Sequence, residues 1–362
     1  ADITGITLPI TKHNYLLRSA KDITRVFREA FYIARSGRPG PVLIDLPRDV
    51  TVEEVEFRWP DVDLPGYDPS FKAHEMQIKR AAKALMEAER PVIYAGGGVR
   101  YAAAHKELYE LAQKINAPVT TTLMGVGCFP EDHLLSLGML GMHGTKYANY
   151  AIQESDLILA VGARFDDRVT GKTSSFAPHA KVIHIDVDPA EIGKNVRVDI
   201  PVVGDAKNAL TALQKEVMPK PKGAWIEKIE AWKRDHPLHY IPDMNIIKPQ
   251  FVIEKLCELA SDAIITTEVG QNQMWAAQFF VHKDPQKFIS SGGLGTMRYG
   301  FPAAIGAKTC RPECEVIDIA GDGSFLMNSQ ELATAVMNDI PVKVAILNNG
   351  CLGMVRQWQE LF

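Results

Sequence analysis

Two short polar motifs, separated by the length of a helix and a strand, constrain the fold of this chain more than any other feature. Gly-Asp-Gly-Ser occupies 321–324 directly after a predicted buried strand at 315–320, and Leu-Asn-Asn-Gly occupies 347–350. Residues 330–337 have helical spacing, whereas residues 342–347 have the composition of a buried strand. This segment therefore predicts a parallel strand-helix-strand unit.

Asp322 and Asn349 follow the two strands of this unit. Because parallel strands end at one edge of a sheet, where open α/β sheets bind ligands, we expect the two side chains to converge. Carboxylate and amide oxygens suit Mg²⁺, which readily shares phosphate oxygens. Gly321 and Gly323 would let the backbone approach a diphosphate closely. The alternative is a tight structural turn beside a structural Asn-Asn pair, but the paired spacing favours the ligand site.

The two motifs together resemble the cofactor motif of thiamine diphosphate enzymes. Further stretches at 161–171, 291–300 and 353–359 narrow the resemblance to the catalytic subunits of acetohydroxyacid synthases, also called acetolactate synthases. The resemblance extends over the whole chain. It implies an α/β fold of three doubly wound parallel-sheet domains. The first and last domains are expected to be incomplete, because the family's opening segment and closing helices have no counterpart here.

Length and composition agree with a multidomain globular protein. The 362 residues exceed one typical hydrophobic core. No apolar run approaches the roughly 18 residues that span a bilayer, so we expect no membrane partner. The net charge of -4, with basic residues scattered along the chain, predicts no nucleic-acid partner. We expect a cytoplasmic location, or an organelle if the source is eukaryotic.

The five cysteines are too few and too dispersed for a disulfide framework, which fits a reducing compartment. Cys310 and Cys314 have a CxxxC spacing. Without a second pair or a nearby histidine, this spacing indicates a surface loop better than a metal site.

The alternation of predicted strands and helices divides the chain into three α/β segments. The resemblance implies that residues 1–58 are the C-terminal part of a pyrimidine-binding domain, residues 74–218 a central FAD-associated Rossmann-like domain, and residues 245–362 a domain that binds diphosphate and Mg²⁺. The predicted helices are 19–36, 73–89, 103–115 and 249–259, and the predicted strands are 41–46, 91–95, 119–122, 157–161, 182–185 and 263–267.

The resemblance implies that the third segment holds thiamine diphosphate and Mg²⁺. The implied metal ligands are Asp322, Asn349 and the backbone carbonyl of Cys351, whose thiol would be incidental because a hard cation selects oxygen. Glu268 and Asn272 stand where the family more usually has Asp and His, although Asn272 could still donate a hydrogen bond to phosphate. The residues implied for thiamine diphosphate are Val269, Gly270, Gln271, Asn272, Gly295, Met297, Gly321, Asp322, Gly323, Ser324, Asn349, Cys351, Gly353 and Met354.

Three side chains would act at the reaction itself. Met297 would hold the aminopyrimidine folded over the thiazolium, although a methionine can simply fill a core. Trp358 would select the ethyl group of 2-ketobutyrate over the methyl group of pyruvate, a difference of about 1–3 kcal/mol, or would be an ordinary packed aromatic. Arg168 would attract the substrate carboxylate, or would form an ion pair with Asp166 or Asp167.

The glutamate that activates the pyrimidine in this family has no match in the chain and would precede Ala1. We therefore expect the 362 residues alone to be inactive. The family's sites form between subunits, which implies a homodimer or homotetramer, with a small regulatory subunit as a further possible partner.

Glycines and polar residues cluster at the predicted strand ends of the middle segment. None completes a GxGxxG fingerprint. Together with Arg38 they resemble the family's site for a non-redox FAD, although His143 could instead be a turn histidine. The residues implied for FAD are Arg38, Gly96, Gly97, Gly98, Thr122, Leu123, Met124, Leu140, Gly141, Met142, His143, Gly162, Ala163, Arg164, Asp166, Arg168, Val169, Asp186, Val187, Gly204, Asp205 and Ala206.

The implied activity is decarboxylation of pyruvate on thiamine diphosphate, followed by ligation of the two-carbon unit to pyruvate or 2-ketobutyrate in branched-chain amino acid biosynthesis. Two alternatives share the same motifs. One is an FAD-dependent oxidoreductase of the pyruvate oxidase type, and the other is a non-catalytic thiamine-binding relative.

Overall fold

The computed structural model describes residues 1–69 and 71–361 and contains three parallel sheets. In the first segment, β1 and β2 pair in parallel from His13 opposite Val42 to Leu16 opposite Asp45. Helix α2 covers this pair through Val26, which packs with Leu17 and Val50. The elements are α1 (Ile3–Thr7), β1 (His13–Leu16), α2 (Ile23–Arg35), β2 (Val42–Asp45) and α3 (Arg48–Thr51).

The middle segment is a six-stranded parallel sheet in the order β5-β4-β3-β6-β7-β8. Its elements are α4 (Glu75–Glu87), β3 (Pro91–Ala95), α5 (Gly97–Tyr101), α6 (His105–Ile115), β4 (Val119–Thr121), β5 (Ser136–Met139), α7 (Lys146–Glu154), β6 (Leu157–Val161), α8 (Asp167–Thr170), β7 (Lys181–Asp186), β8 (Ile200–Val203), α9 (Ala206–Glu216) and α10 (Ala224–Asp235).

Helices cover both faces of this sheet, which is why every residue of β3 and β6 is buried. Successive side chains of a strand point to opposite faces, so Ile93 and Val92 belong to different cores. The strand order reverses between β3 and β6, which creates a topological switch point at their carboxyl ends. A ligand crevice is expected at that point.

The third segment has a four-stranded parallel sheet in the order β10-β9-β11-β12, with its own switch point between β9 and β11. Its elements are α11 (Pro249–Leu259), β9 (Ile264–Thr267), α12 (Gln271–Phe279), β10 (Phe288–Ile289), α13 (Gly300–Cys310), β11 (Val316–Gly321), α14 (Asp322–Leu326), α15 (Glu331–Met337), β12 (Lys343–Leu347) and α16 (Gly353–Leu361).

The parallel α/β class predicted from the sequence is confirmed. One local prediction was less accurate: the predicted helix at 103–115 is shorter, and a separate helix, α5, precedes it. The Gly-Asp-Gly-Ser motif enters helix α14 directly, so it does not form the isolated turn that was the alternative to a ligand site. Within the described parts of the chain, no helix has both the length and the apolar character needed to cross a bilayer.

Candidate active site

A cavity of about 1050 Å³ extends along the carboxyl ends of the middle and third sheets. Its walls include residues that follow β3 and β6, at one switch point, and residues that follow β9 and β11, at the other. A volume of this size lies at the upper end of the range for a single drug-sized ligand. The fold therefore joins two ligand-binding sheet edges into one space.

Asp322 and Asn349 both line this cavity. Asp322 is the first residue of α14, and Asn349 follows β12 by two residues. The two motifs lie side by side at the carboxyl ends of β11 and β12, because Gly321 pairs with Leu347 in the parallel ladder. The convergence expected from the sequence is thus present in the structure.

Asn349 is held within its own loop, and a cation here would have to displace a weak thiol contact from its amide oxygen. Asn349 Oδ1 accepts hydrogen bonds from the backbone N–H of Cys351 at 3.2 Å and from the Cys351 thiol, a weak donor, at 3.4 Å. Its nitrogen donates to Gln271 Oε1 at 3.5 Å. Among the described residues, no group of three or more His, Cys, Asp or Glu side chains could hold a metal ion. A cation here would therefore depend on phosphate oxygens and water, as Mg²⁺ commonly does.

The loop after β9 supplies backbone amides to the same cavity. Val269, Gly270 and Gln271 line it at the start of the nine-residue helix α12, where the first N–H groups have no partner within the helix. Ser324 Oγ donates to the carbonyl oxygen of Val269 at 3.1 Å and fixes this loop against α14. Such a helix start suits a phosphate group.

Asn272 differs from its sequence-based interpretation. It lines the cavity, but its amide nitrogen donates to the carbonyl oxygens of Glu268, at 3.0 Å, and Ile319, at 2.8 Å. Both amide hydrogens are therefore used, and none remains for a phosphate. The expectation that Asn272 donates to the diphosphate is corrected accordingly, because the side chain ties the loop after β9 to the end of β11.

Arg168 and Trp358 contact each other across the cavity wall. The guanidinium carbon of Arg168 lies 5.5 Å from the centroid of the indole ring, within range of a cation–π interaction. Arg168 also forms an exposed ion pair with Asp167 at 3.2 Å. The ion-pair alternative stated for Arg168 is thus present, with Asp167 as the partner, and its role toward the substrate carboxylate stays a prediction. Asp166 instead pairs with the side chain of Arg164.

Met297 lines the cavity and is half-buried, so it does not fill a hydrophobic core. Its loop turns through Gly295, which has a φ of 73°, and packs on the middle segment at Gly292. A Cβ added to Gly292 would lie 2.5 Å from the sulfur of Met124. The loop that carries Met297 therefore also closes the junction between the two halves of the cavity.

The middle half of the cavity is formed by close contacts between glycines. A Cβ on Gly98 would lie 2.5 Å from the Cα of Gly162, and one on Gly96 would lie 2.2 Å from the Gly162 carbonyl oxygen. Gly98 and Gly162 also line the cavity. Only residues without side chains allow the ends of β3 and β6 to approach this closely.

Three residues that the sequence assigned to FAD lie outside the cavity lining, as far as the described residues show. Gly96 packs against Gly162, and Gly141 exchanges hydrogen bonds with the side chain of Asn149. Met142 is half exposed at the surface. The FAD role assigned to these three residues stays a prediction.

Arg38 connects the first segment to the middle one. Its Nη1 donates to Glu191 Oε1 at 2.6 Å and to Asp188 Oδ2 at 3.1 Å, and the residue lines the cavity. Sequence reasoning selected Arg38 but did not identify these two carboxylates as its partners.

Tyr94 is a cavity residue that sequence reasoning missed. It is completely buried, its hydroxyl has no hydrogen-bond partner among the described residues, and burial raises the pKa of that hydroxyl. An aromatic residue inside an apolar strand gives no signal that its hydroxyl faces a ligand. Other missed lining residues include Tyr101, Met139, Ile185, Gln273, Leu352 and Val355.

A buried carboxyl pair lies beside the cavity. Glu268 and Asp318 are both fully buried, and each has one carboxyl oxygen without a partner among the described residues. Asp318 accepts a hydrogen bond from Thr266 Oγ1 at 3.0 Å. Burial, and then the charge of Glu268, raise the pKa of Asp318 to about 8. Asp318 is therefore protonated at neutral pH in the folded protein.

Asp318 should make stability depend on pH. The folded state keeps a proton that the unfolded chain releases near pH 4, so the free energy of unfolding should fall between about pH 4 and 8, by up to about 1.4 kcal/mol per pH unit. Asp318→Asn keeps an acceptor for Thr266 and cannot ionise, so its stability gain should grow with pH across this interval. Urea unfolding at pH 5, 6.5 and 8 measures this. Exposed Asp262→Asn is the control, and a constant difference between parent and Asp318→Asn would contradict the assignment.

The fold and the cavity edges define the class of protein. Residues 78–213 match the family model for the central domain of thiamine pyrophosphate enzymes, and residues 268–362 match that for the C-terminal TPP binding domain. The two matches together cover more than half of the chain. The chain therefore belongs to the thiamine pyrophosphate enzyme family.

Within this family, the chain is similar to acetolactate synthase large subunits along its whole length. It is 55% identical to the probable acetolactate synthase large subunit of Methanocaldococcus jannaschii, of which it covers 64%. It is 53% identical to the acetolactate synthase of Mycobacterium bovis, covering 60%, and 50% identical to the acetolactate synthase large subunit of Corynebacterium glutamicum, covering 59%. The chain spans less than two thirds of the length of these relatives. The resemblance inferred from the motifs is confirmed.

Proposed function

We propose that the chain forms the cofactor-binding part of an acetolactate synthase. Its activity would be decarboxylation of pyruvate and ligation of the two-carbon unit to pyruvate or 2-ketobutyrate, in branched-chain amino acid biosynthesis. The observation that carries this proposal is the convergence of Asp322 and Asn349 in one cavity with Met297 and the Arg168–Trp358 pair. The names of the relatives support the same activity.

The residues present fit thiamine diphosphate. Gly321 and Gly323 line the cavity, where the lack of a side chain would let a diphosphate approach the backbone. Asp322, Asn349 and the Cys351 carbonyl would hold the Mg²⁺, and the start of α12 would face the phosphates. When bound, the thiazolium supplies an electron sink for the electron pair released as pyruvate loses carbon dioxide.

The chain itself would bind, orient and exclude water. Met297 would support the folded cofactor from the loop that closes the cavity junction. Arg168 would attract the substrate carboxylate at a cavity wall where it also stacks on Trp358. The indole would set the size of the space available to the second keto acid.

A flavin fits the middle half of the cavity. The glycines at the ends of β3 and β6 bring backbone close to the space, and the hydroxyl of Tyr94 offers a buried hydrogen-bonding group. We propose that FAD binds there without changing its redox state during carboligation. Arg38 would contact it from the first segment.

The proposed assembly is a homodimer or homotetramer, with a regulatory small subunit as a further partner. Several relatives are named large subunits. Helix α15 exposes Leu332, Val336 and Met337, the last at 82%. An apolar face of this kind is typical of a surface covered by another subunit or segment.

An activity assay on the complete gene product tests the proposal. With pyruvate, Mg²⁺, thiamine diphosphate and FAD present, acetolactate should accumulate while the flavin absorbance stays constant. Oxygen consumption or flavin bleaching with pyruvate would instead favour an oxidase. Binding of thiamine diphosphate without release of carbon dioxide would favour the non-catalytic alternative.

Trp358→Leu should lower the preference for 2-ketobutyrate over pyruvate while acetolactate formation continues. The expected change is about 10-fold to 200-fold, because one methylene in a pocket is worth about 1–3 kcal/mol. Competition between the two acceptors measures the ratio of products. Tyr101→Leu, an exposed aromatic at the opposite half of the cavity, is the control. An unchanged product ratio in Trp358→Leu would remove this role.

A further inference from the structure

Glu268 lies between two segments of the cavity wall without lining the cavity itself. It directly precedes Val269 and Gly270, which do line it. Its Oε1 accepts a hydrogen bond of 3.0 Å from the backbone N–H of Phe301, four residues after Met297. One side chain thus contacts the end of the loop that carries Met297 and belongs to the loop after β9.

The partner of this carboxylate is the start of a helix. Helix α13 has 11 residues, and its first N–H groups lack partners within the helix. Burial raises the pKa of Glu268, and the backbone amides of Phe301, Gly300, Arg298 and Tyr299 offset part of this effect. A negative charge is favoured at such a helix end.

The loop before α13 has a conformation that needs support. Gly295 and Arg298 both have positive φ, 73° and 65°. A left-handed residue with a side chain persists only where its surroundings hold it. Leu294 in the same loop is 93% exposed, so packing contributes little there. The hydrogen bonds to Glu268 lie where this strained turn ends.

The helix start fits closely on the strands beneath it. A Cβ on Gly300 would lie 2.3 Å from Asp318 Oδ1 and 2.5 Å from the backbone nitrogen of Glu268. The backbone of Glu268 is in turn fixed by its N–H bond to the Ile319 carbonyl at 3.1 Å. Glu268 therefore connects the turn at 298–301 to the edge of the sheet.

We propose that Glu268 is a positioning residue, whose carboxylate fixes the turn at 298–301 and, through it, the cavity loop that carries Met297. The effect of Glu268 on cofactor binding rests on the proposed function. The effect of Glu268 on the order of the loop does not rest on it, because that effect concerns the protein without any ligand.

Hydrogen exchange followed by mass spectrometry tests the ordering in the ligand-free chain. In Glu268→Ala, amides at 291–301 should exchange about 10-fold faster, because the buried hydrogen bond to Phe301 is lost. Glu268→Gln keeps an oxygen acceptor of the same length and should restore most of the protection. Glu268→Asp keeps the charge but is one methylene too short for Phe301, so it should resemble the alanine variant. Glu29→Gln, at another buried glutamate, should leave this loop unchanged.

Peptides from β3 report the stability of the rest of the molecule. Faster exchange confined to 291–301 supports the proposal. Equal acceleration in β3 would show that Glu268 only stabilises the fold as a whole, and would overturn the proposal. Unchanged exchange at 291–301 in the alanine and aspartate variants would overturn it as well. If Glu268→Ala does not fold, the comparison of Gln with Asp decides between the same outcomes.

Calorimetry with Mg²⁺ and thiamine diphosphate separates this inference from the proposed function. Glu268→Ala should bind about 10-fold more weakly than the parent, with partial recovery in Glu268→Gln. If the parent chain binds no thiamine diphosphate, the proposed function fails, and hydrogen exchange alone tests whether Glu268 orders the loop. If the parent binds and all three variants bind equally well, the link from Glu268 to the cofactor loop is refuted.

Discussion

Asp322→Ala should abolish Mg²⁺-dependent binding of thiamine diphosphate. Loss of a residue that merely supports a metal ligand typically weakens metal binding about 10-fold to 100-fold, so removal of a direct carboxylate ligand should cost at least about 100-fold. The backbone around Asp322 should not change, because its side chain is partly exposed at the cavity and lies outside the cores. Isothermal titration of thiamine diphosphate at fixed Mg²⁺ measures the effect.

The matched control lies at the other end of the same strand. Glu315 precedes β11, is exposed, and pairs with Lys343 at 2.6 Å, an ion pair of small energetic value. Glu315→Ala removes the same charge from the chain without touching the cavity and should bind thiamine diphosphate as the parent does. Wild-type affinity in Asp322→Ala would show that the cation is held elsewhere, and equal losses in both variants would show that only net charge matters.

Gly162→Ala should strongly destabilise the middle segment. Gly162 has a φ of 56°, and a Cβ would lie 2.4 Å from the Cα of Gly98. The backbone strain costs about 1–2 kcal/mol, and overpacking against a rigid backbone adds about 1–3 kcal/mol. We expect the apparent melting temperature to fall by about 6–12 °C. Flavin content of the purified protein should fall with it, because the two glycines form the proposed flavin surface.

Gly193→Ala separates strain from contact. Gly193 also has positive φ, 73°, but no atom lies within 4 Å of the position its Cβ would take. This control should lose only the stability due to backbone strain. Thermal unfolding of both variants measures the difference. An equal loss of stability in the two would mean that the close contact between Gly98 and Gly162 does not contribute to the cost of the Gly162 substitution.

The sequence predicts the central part of the candidate site because the topology of the sheet determines which residues meet there. Parallel strands end at one edge, so two polar motifs after neighbouring strands must approach each other wherever the sheet forms. The spacing between Asp322 and Asn349 is therefore informative without any knowledge of side-chain packing. The same reasoning located the glycines after β3 and β6.

Other features depend on packing that no local pattern encodes. Strands β1 and β5, with the sequences His-Asn-Tyr-Leu and Ser-Leu-Gly-Met, are too polar or too short to stand out from loops. Strand β8 contains Pro201, which is tolerated because β8 is at the edge of its sheet. Only the assembled sheet identifies these segments as strands.

The role of a side chain was hardest to predict from the sequence where one residue contacts two separate segments of the chain. Asn272 was expected to face a phosphate, yet its donors bind the carbonyl groups that join β9 to β11. Glu268 was considered only as a departure from a motif, yet it contacts Phe301, which lies 33 residues further along the chain. Such long-range hydrogen bonds appear only once the tertiary structure is known.

A crystal structure of the chain with Mn²⁺ in place of Mg²⁺ and thiamine diphosphate tests the central claim most directly, because the anomalous signal of Mn²⁺ locates the cation. We predict a single strong peak at the ends of β11 and β12, within about 2.3 Å of oxygens from Asp322, Asn349 and the Cys351 carbonyl, with the diphosphate sharing the ion. A cation bound to the diphosphate at another edge of the sheets, with Asp322 and Asn349 making no contact to it, would contradict the account.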